Sequence, residues 1–141
     1  MKHKGSVSQT YLSRDEKVLP DLIRQAKHLA TYPISTMKLY QIAADLPTDK
    51  FYIADDAAYE YILKRMFRGV EVAFNNHYKQ RLYDAFFEEV SKMMKQETYK
   101  KMSVKNVTIL ALSRPAPCVG LAPWGIWKAL LRQRKKKNEK V

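Results

Sequence analysis

One stretch of this chain is written twice, and that repetition constrains the fold more than any other feature. Residues 35–68 and 103–136 carry the same pattern. Ile34-Ser35 corresponds to Met102-Ser103, Leu39 to Val107, Ile42-Ala43 to Leu110-Ala111, and Pro47 to Pro115. Further on, Ile53-Ala54 corresponds to Leu121-Ala122, Tyr59 to Trp127, and Ile62-Leu63-Lys64 to Leu130-Leu131-Arg132. The agreements fall on candidate caps, a helix breaker and periodic apolar positions, where structure restricts residue choice most. Such a chain is expected to build two like units and pack them around whatever lies between.

Each unit reads as helix, extended piece, helix. Ser35 and Ser103 are N-cap candidates, because a serine hydroxyl accepts a hydrogen bond from a first-turn amide that has no partner inside the helix. Ile34 with Leu39, and Met102 with Val107, flank them at the spacing of a hydrophobic staple. The first helix of unit one buries Leu39, Ile42, Ala43 and Leu46 and ends at Pro47, which can neither donate a backbone hydrogen bond nor tolerate a helical residue before it. In unit two Val107, Leu110 and Ala111 play this part, ahead of Pro115. The extended pieces Lys50–Ile53 and Cys118–Leu121 are suited to pair as a small two-stranded ribbon. Asp55 is then expected to cap a helix over 56–68 that stops at Gly69, and Pro123 to open one reaching about Lys137.

Outside the repeat, residues 1–12 show no sustained period and read as a flexible basic arm. Ser13 and Glu16 have capping-box spacing, but Pro20 favours a main helix from about Pro20 to Thr31, with Leu22, Ile23, Ala26, Leu29 and Ala30 on one face. The longest periodic segment, Asn76 to about Gln96, places Tyr78, Leu82, Phe86, Val90, Met93 and Met94 in one stripe and reads as the central core helix. The expected fold is mainly α: a single compact helical domain over 13–137, duplicated around a long central helix, with a disordered tail at 138–141.

The 141 residues suffice for one core, and a hydrophobic fraction of 46% is enough to fill it. The net charge of +12 is unevenly spread. Residues 128–141 hold Lys128, Arg132, Arg134, Lys135, Lys136, Lys137 and Lys140 against Glu139 alone, which is half the excess. A few cations in a last turn complement the helix dipole, but a run this long exceeds that need and points to a polyanion. Arg132, Arg134, Lys135, Lys136 and Lys137 are therefore the candidate phosphate contacts. Lys64, Arg65 and Arg68, which close the equivalent helix of unit one, are the second set. Tyr52 and Tyr59 would stack on bases if exposed, although aromatics more often serve the core.

Enzyme chemistry finds little footing. His3, His28 and His77 lack metal-ligand spacing, and the single cysteine, Cys118, excludes both an internal disulfide and a cysteine-based zinc site. Asp45, Asp49, Asp55 and Asp56 bracket one loop, but the second unit has Ser113, Pro117, Pro123 and Trp124 in their places, so neither a metal nor any cofactor is expected. No apolar run approaches the ~18 residues of a membrane span, which with the lone cysteine suggests a cytoplasmic protein. Trp124 and Trp127 beside the basic run would also suit a membrane surface or an oligomer contact, the former disfavoured because Trp127 and Leu130-Leu131 align with apolar positions of unit one.

The turns Leu46-Pro47-Thr48-Asp49 and Arg114-Pro115-Ala116-Pro117, each followed by an extended apolar piece and a basic helix, resemble small basic proteins of phages and integrated elements in gut bacteria. Phe51-Tyr52-Ile53 and Lys79-Gln80-Arg81-Leu82-Tyr83 add to the likeness, which covers about residues 35–137. It implies a mobile-element context and assigns no functional residues. The expectation from the sequence is a non-enzymatic accessory protein that binds nucleic acid, DNA before RNA, without a small-molecule substrate. The alternative is a helical adaptor that forms homo-oligomers and binds an acidic protein or RNA.

Overall fold

Pro20 sits where a straight helix would break, and the chain accommodates it by widening. In the computed structural model, which describes residues 8–139 and the side chains through Lys136, helix α1 (Gln9–Ser13) passes into a π-helical turn, Arg14–Val18, and on into α2 (Leu19–Leu29). The Leu19 amide reaches five residues back to the Arg14 carbonyl. This wider ring passes over the position where proline has no N–H to give. The helix therefore begins at the Ser8 cap, whose hydroxyl accepts from the Thr10 amide, and not at Pro20. The expected flexible arm is corrected accordingly for residues 8–12. They are helical and tied to the body by Tyr11, whose hydroxyl accepts from the Ala54 amide at 3.3 Å. Residues 1–7 lie outside the described part.

The two serine caps are formed. Ser35 Oγ accepts from the Lys38 amide at 3.2 Å and starts α3 (Thr36–Asp45), while Ser103 Oγ accepts from the Asn106 amide at 3.1 Å and starts α6 (Val104–Ala111). Helix α4 (Asp55–Ile62) starts one residue earlier than expected: Ala54 is the cap, and Asp55 and Asp56 stand in the first turn, where carboxylates face the positive end of the dipole. It continues as a π turn, Leu63–Phe67, and stops where Gly69 adopts a φ of 65°. Helix α5 (His77–Met94) opens on Asn76, whose side chain accepts from the Tyr78 and Lys79 amides. Helix α7 (Pro123–Glu139) runs through residues 138–139, so the expected tail is helical that far.

The expected ribbon between Lys50–Ile53 and Cys118–Leu121 is not formed; the two segments meet instead at one antiparallel bridge just ahead of those pieces, Thr48 with Ala116, closed by two reciprocal backbone bonds of 3.0 Å. It cannot lengthen because the next groups are already committed. The Arg114 amide bonds back to Ala111 at the end of α6, the Lys50 carbonyl accepts from the Thr48 hydroxyl, and the Phe51 amide donates to Leu112. Thr48 and Ala116 hold equivalent places in the two repeated segments, as do the caps.

Packing is reciprocal. Helix α3 of the first segment packs on α7 of the second, and α4 on α6. One core cluster gathers α4 and α6 around α5, where Phe86, Val90 and Met93 are fully buried and Phe51 meets Phe86 edge-on at 5.2 Å. Side chains of that size each contribute about 1.5–3 kcal/mol through burial. The other joins α2, α3 and α7 through Leu19, Leu22, Ala43, Ala44 and Ile126. The buried faces of the short helices keep Ala43, Val107 and Ala111 of the expected stripes, while Leu39, Ile42 and Leu46 are only partly buried against the second cluster. Tyr40, Ala43 and Ala44 are buried in α3, and Val107, Thr108 and Ala111 in α6. Leu110 and Leu29 are instead exposed. Close helix packing on α7 and α4 selects the alanine-bearing faces and leaves the larger aliphatics at the margins.

Candidate nucleic-acid interface

The basic residues proposed from the sequence fall into two environments. Those at the end of α4 are spent within the molecule. Glu60 takes both Lys64 Nζ at 3.9 Å and Arg68 Nη1 at 3.3 Å. Arg65 Nη1 donates to Asp84 Oδ1 at 2.9 Å and to the Tyr61 hydroxyl at 2.6 Å, and its guanidinium lies 4.0 Å from the Phe87 ring centroid. Burial works against the Arg65 charge, but the Tyr61 and Asp84 contacts outweigh it and hold the guanidinium's pKa above its ordinary value. Three cations thus face two carboxylates, and Arg65 fastens α4 to α5. These three residues of the expected site are paired within the fold.

The cations of α7 are different. Ala129 is buried, Gln133 half-buried and Arg132, Arg134, Lys135 and Lys136 exposed, so the helix runs off the core edge as its sequence turns basic. None of these four side chains has an ion pair or side-chain hydrogen bond with a described residue. The backbone of Lys137 belongs to α7, and its side chain lies outside the described part.

A cleft flanks α7 on either side. The first, about 620 Å³, lies between α7, α1 with its π turn, and the start of α5; Arg14, Lys79, Arg132 and Lys136 face it, with Asp15 as the single carboxylate among the described residues that line it. The second, about 710 Å³, is bordered by Lys17, Arg24, Lys27, Arg134 and Lys136 against Asp15 and Glu16. Asp15 lies between them, 8% exposed, its Oδ1 accepting from Arg14 Nε at 2.9 Å. Lys64, Arg65 and Arg68 border neither cleft.

Tyr11, Tyr52 and Tyr83 also line the first cleft. Tyr52 is nearly buried, its hydroxyl donating to Asp49 Oδ1 at 2.9 Å. Burial first, and then the Asp49 contact, push its phenol up to about 12. Tyr59 is half-buried, with Lys105 Nζ 5.9 Å from its ring centroid. Gly120 closes the cleft at a φ of 86°, with Leu82 so near that no side chain fits.

Sequence reasoning missed Arg14, Lys79 and the cleft tyrosines Tyr11 and Tyr83. One signal for Lys79 was present. The first turns of α5 carry Lys79 and Arg81 and no acid, the reverse of what the helix dipole favours. Cations kept against a local preference mark a position held for another reason. The four aspartates near the first loop do not converge: Asp45 pairs with Arg81 at 3.3 Å and Asp49 with Tyr52. No cluster of three or more potential metal ligands occurs among the described residues. Cys118 is buried, and burial pushes its thiol up, away from the reactive thiolate. No helix among the described residues is long and apolar enough to cross a membrane. No protein-family model matches the chain, nor does any curated protein or solved structure.

Proposed function

We propose that this chain is a non-enzymatic nucleic-acid-binding protein whose α7 lies along a phosphate backbone. The observation that carries the reading is the contrast between two basic helix ends: Lys64, Arg65 and Arg68 are held by Glu60 and Asp84, whereas Arg132, Arg134, Lys135 and Lys136 have no such partners among the described residues and stand between two clefts of net positive lining. Cations with no internal partner are free to replace the counterions of a polyanion. DNA is favoured over RNA, because the major groove of B-form DNA admits a helix and the deep, narrow one of A-form RNA does not. The matched caps and the Thr48–Ala116 bridge support treating the two segments as copies of one unit, in which only the second copy keeps its basic end open. A cytoplasmic, mobile-element setting is consistent with these features and belongs to the same proposal.

Charge removal at the two helix ends tests it. Replacing Arg132, Arg134, Lys135 and Lys136 with glutamine is expected to weaken duplex binding by about 100-fold or more at moderate salt, and the same change at Lys64 and Arg68 by less than about threefold. Equal losses would sink the assignment to α7. A second reading, a helical adaptor, draws on Trp124, which is 52% exposed and stacks on Trp127 at 4.7 Å. Under that reading the chain self-associates, Trp124→Ala makes it monomeric, and nucleic acid leaves its sedimentation unchanged.

A further inference from the structure

From the first cleft we infer that the protein holds one unpaired nucleotide, a terminal or single-stranded unit next to the duplex bound by α7. The inference rests on the nucleic-acid reading and adds a ligand class that the basic helix alone does not supply.

Three features of the cleft converge. Its size, about 620 Å³, falls within the ~300–1,000 Å³ typical of small-ligand sites and would waste space on a bare phosphate. Its cations come from three separated parts of the chain, Arg14 from the π turn, Lys79 from α5, and Arg132 with Lys136 from α7. Arg14 is already paired with Asp15, and Lys79 lies over the Phe74 ring at 4.7 Å and the Tyr83 ring at 5.9 Å, contacts that leave its charge unneutralised, so Lys79, Arg132 and Lys136 are the cleft cations without a carboxylate partner among the described residues. The rest of the lining is aromatic and apolar: Tyr11, Tyr52, Tyr83, Leu82, Val119 and Leu121. Tyr52, Tyr83, Leu82 and Val119 are themselves buried, so the apolar surface open to a ligand is chiefly that of the half-buried Tyr11, Leu12 and Leu121. Charge on one part and apolar surface on another is the pairing that a nucleotide presents, with its phosphate and its base.

The local structure keeps this space open. The π turn brings Arg14 and Asp15 to the cleft from consecutive positions of a widened helix, and such turns recur at functional sites. Gly120, in a left-handed conformation, lets the cleft wall close directly on Leu82, where a Cβ would meet that side chain. A base within a duplex is stacked and paired on both sides and cannot enter; an overhanging or single-stranded one can.

The test compares a blunt duplex with the same duplex carrying a short thymidine overhang, by fluorescence anisotropy on the intact chain. The overhang is expected to tighten binding about tenfold. Lys79→Gln should abolish that gain while leaving blunt-duplex affinity within about threefold, and Lys128→Gln, an equal charge loss on a residue outside the cleft, should preserve it. Thermal melting of both variants reports whether they fold. Thymidine monophosphate, added as competitor, separates two sources of the same chemistry. Loss of the overhang gain assigns the site to free nucleotides as well, and its persistence assigns it to the strand alone. If the overhang gives no gain, or Lys79→Gln leaves the gain intact, the cleft inference is overturned while α7 binding stands. If neither duplex binds, the nucleic-acid reading itself fails.

Discussion

Replacing Gly120 with alanine combines two costs that Gly69 lets one separate. Both glycines have positive φ, 86° and 65°, a region that costs an L residue about 1–2 kcal/mol. Gly69 has open space around it, and a Cβ there meets nothing within 4 Å. At Gly120 the new Cβ would stand 2.5 Å from Leu82 Cδ2, with Leu82 Cβ and Cγ at 3.4 and 3.5 Å. Leu82 is 3% exposed and packed in the cluster around α5, so it has little room to retreat, and overpacking of this kind costs about 1–3 kcal/mol more. Gly69→Ala should therefore cost about 1–2 kcal/mol and Gly120→Ala about 2–5. For a chain of 141 residues the entropy of unfolding is about 0.3 kcal/mol/K, so each kcal/mol lowers the melting temperature by about 3 °C. Scanning calorimetry should give drops of about 3–6 °C for the first variant and about 6–15 °C for the second. A cycle with Leu82→Ala isolates the contact, because removing the leucine should return about 1–3 kcal/mol of the Gly120→Ala loss. Equal melting temperatures for the two glycine variants, or a cycle with no coupling, would refute this account of Gly120.

Ser35→Ala and Ser103→Ala should each lower stability in urea by about 0.5–2 kcal/mol, and additively, since the caps serve different helices. Arg65→Ala removes the ties to Asp84 and Tyr61, and because the side chain is 32% exposed the loss is discounted to about 1–2 kcal/mol. Its melting temperature should fall while duplex affinity changes less than for Arg134→Ala, as read by calorimetry and anisotropy. Tyr52, with a folded phenol raised from 10.0 to about 12, ionises more readily once unfolded. The unfolded state then binds fewer protons between those values, so stability falls as pH rises from 10 towards 12. Tyr52→Phe should flatten that fall in urea titrations taken at successive pH values.

What could be read from the chain in advance was local. Ser35, Ser103, Asn76 and Pro123 act within one turn of themselves, so their roles follow from sequence. The π turn at Arg14–Val18 was not legible, because a widened ring is unfavourable in isolation and persists through packing against α7 and α2. In α3 and α6 the expected stripes hold at Ala43, Val107 and Ala111, whereas Leu39 is only partly buried and Leu110 is exposed, since close packing prefers the smaller side chains. The same division runs through the site. The basic run of α7 is visible as composition, but whether a cation is free depends on partners far along the chain. Asp84, nineteen residues from Arg65, pairs with that residue. Arg14, Lys79 and Arg132 meet at one cleft only because three separated helices converge there.

The measurement closest to the central claim is the salt dependence of duplex binding by the intact chain and by the variant with Arg132, Arg134, Lys135 and Lys136 all changed to glutamine. Each phosphate left without its cation should flatten the slope of log K against log salt by about 0.9, so neutralising all four side chains would flatten it by about 3.6. A parallel weakening on unrelated sequences is expected as well, because cations that meet phosphates do not read bases. An unchanged slope with retained affinity would contradict the assignment of α7 as the phosphate-binding element.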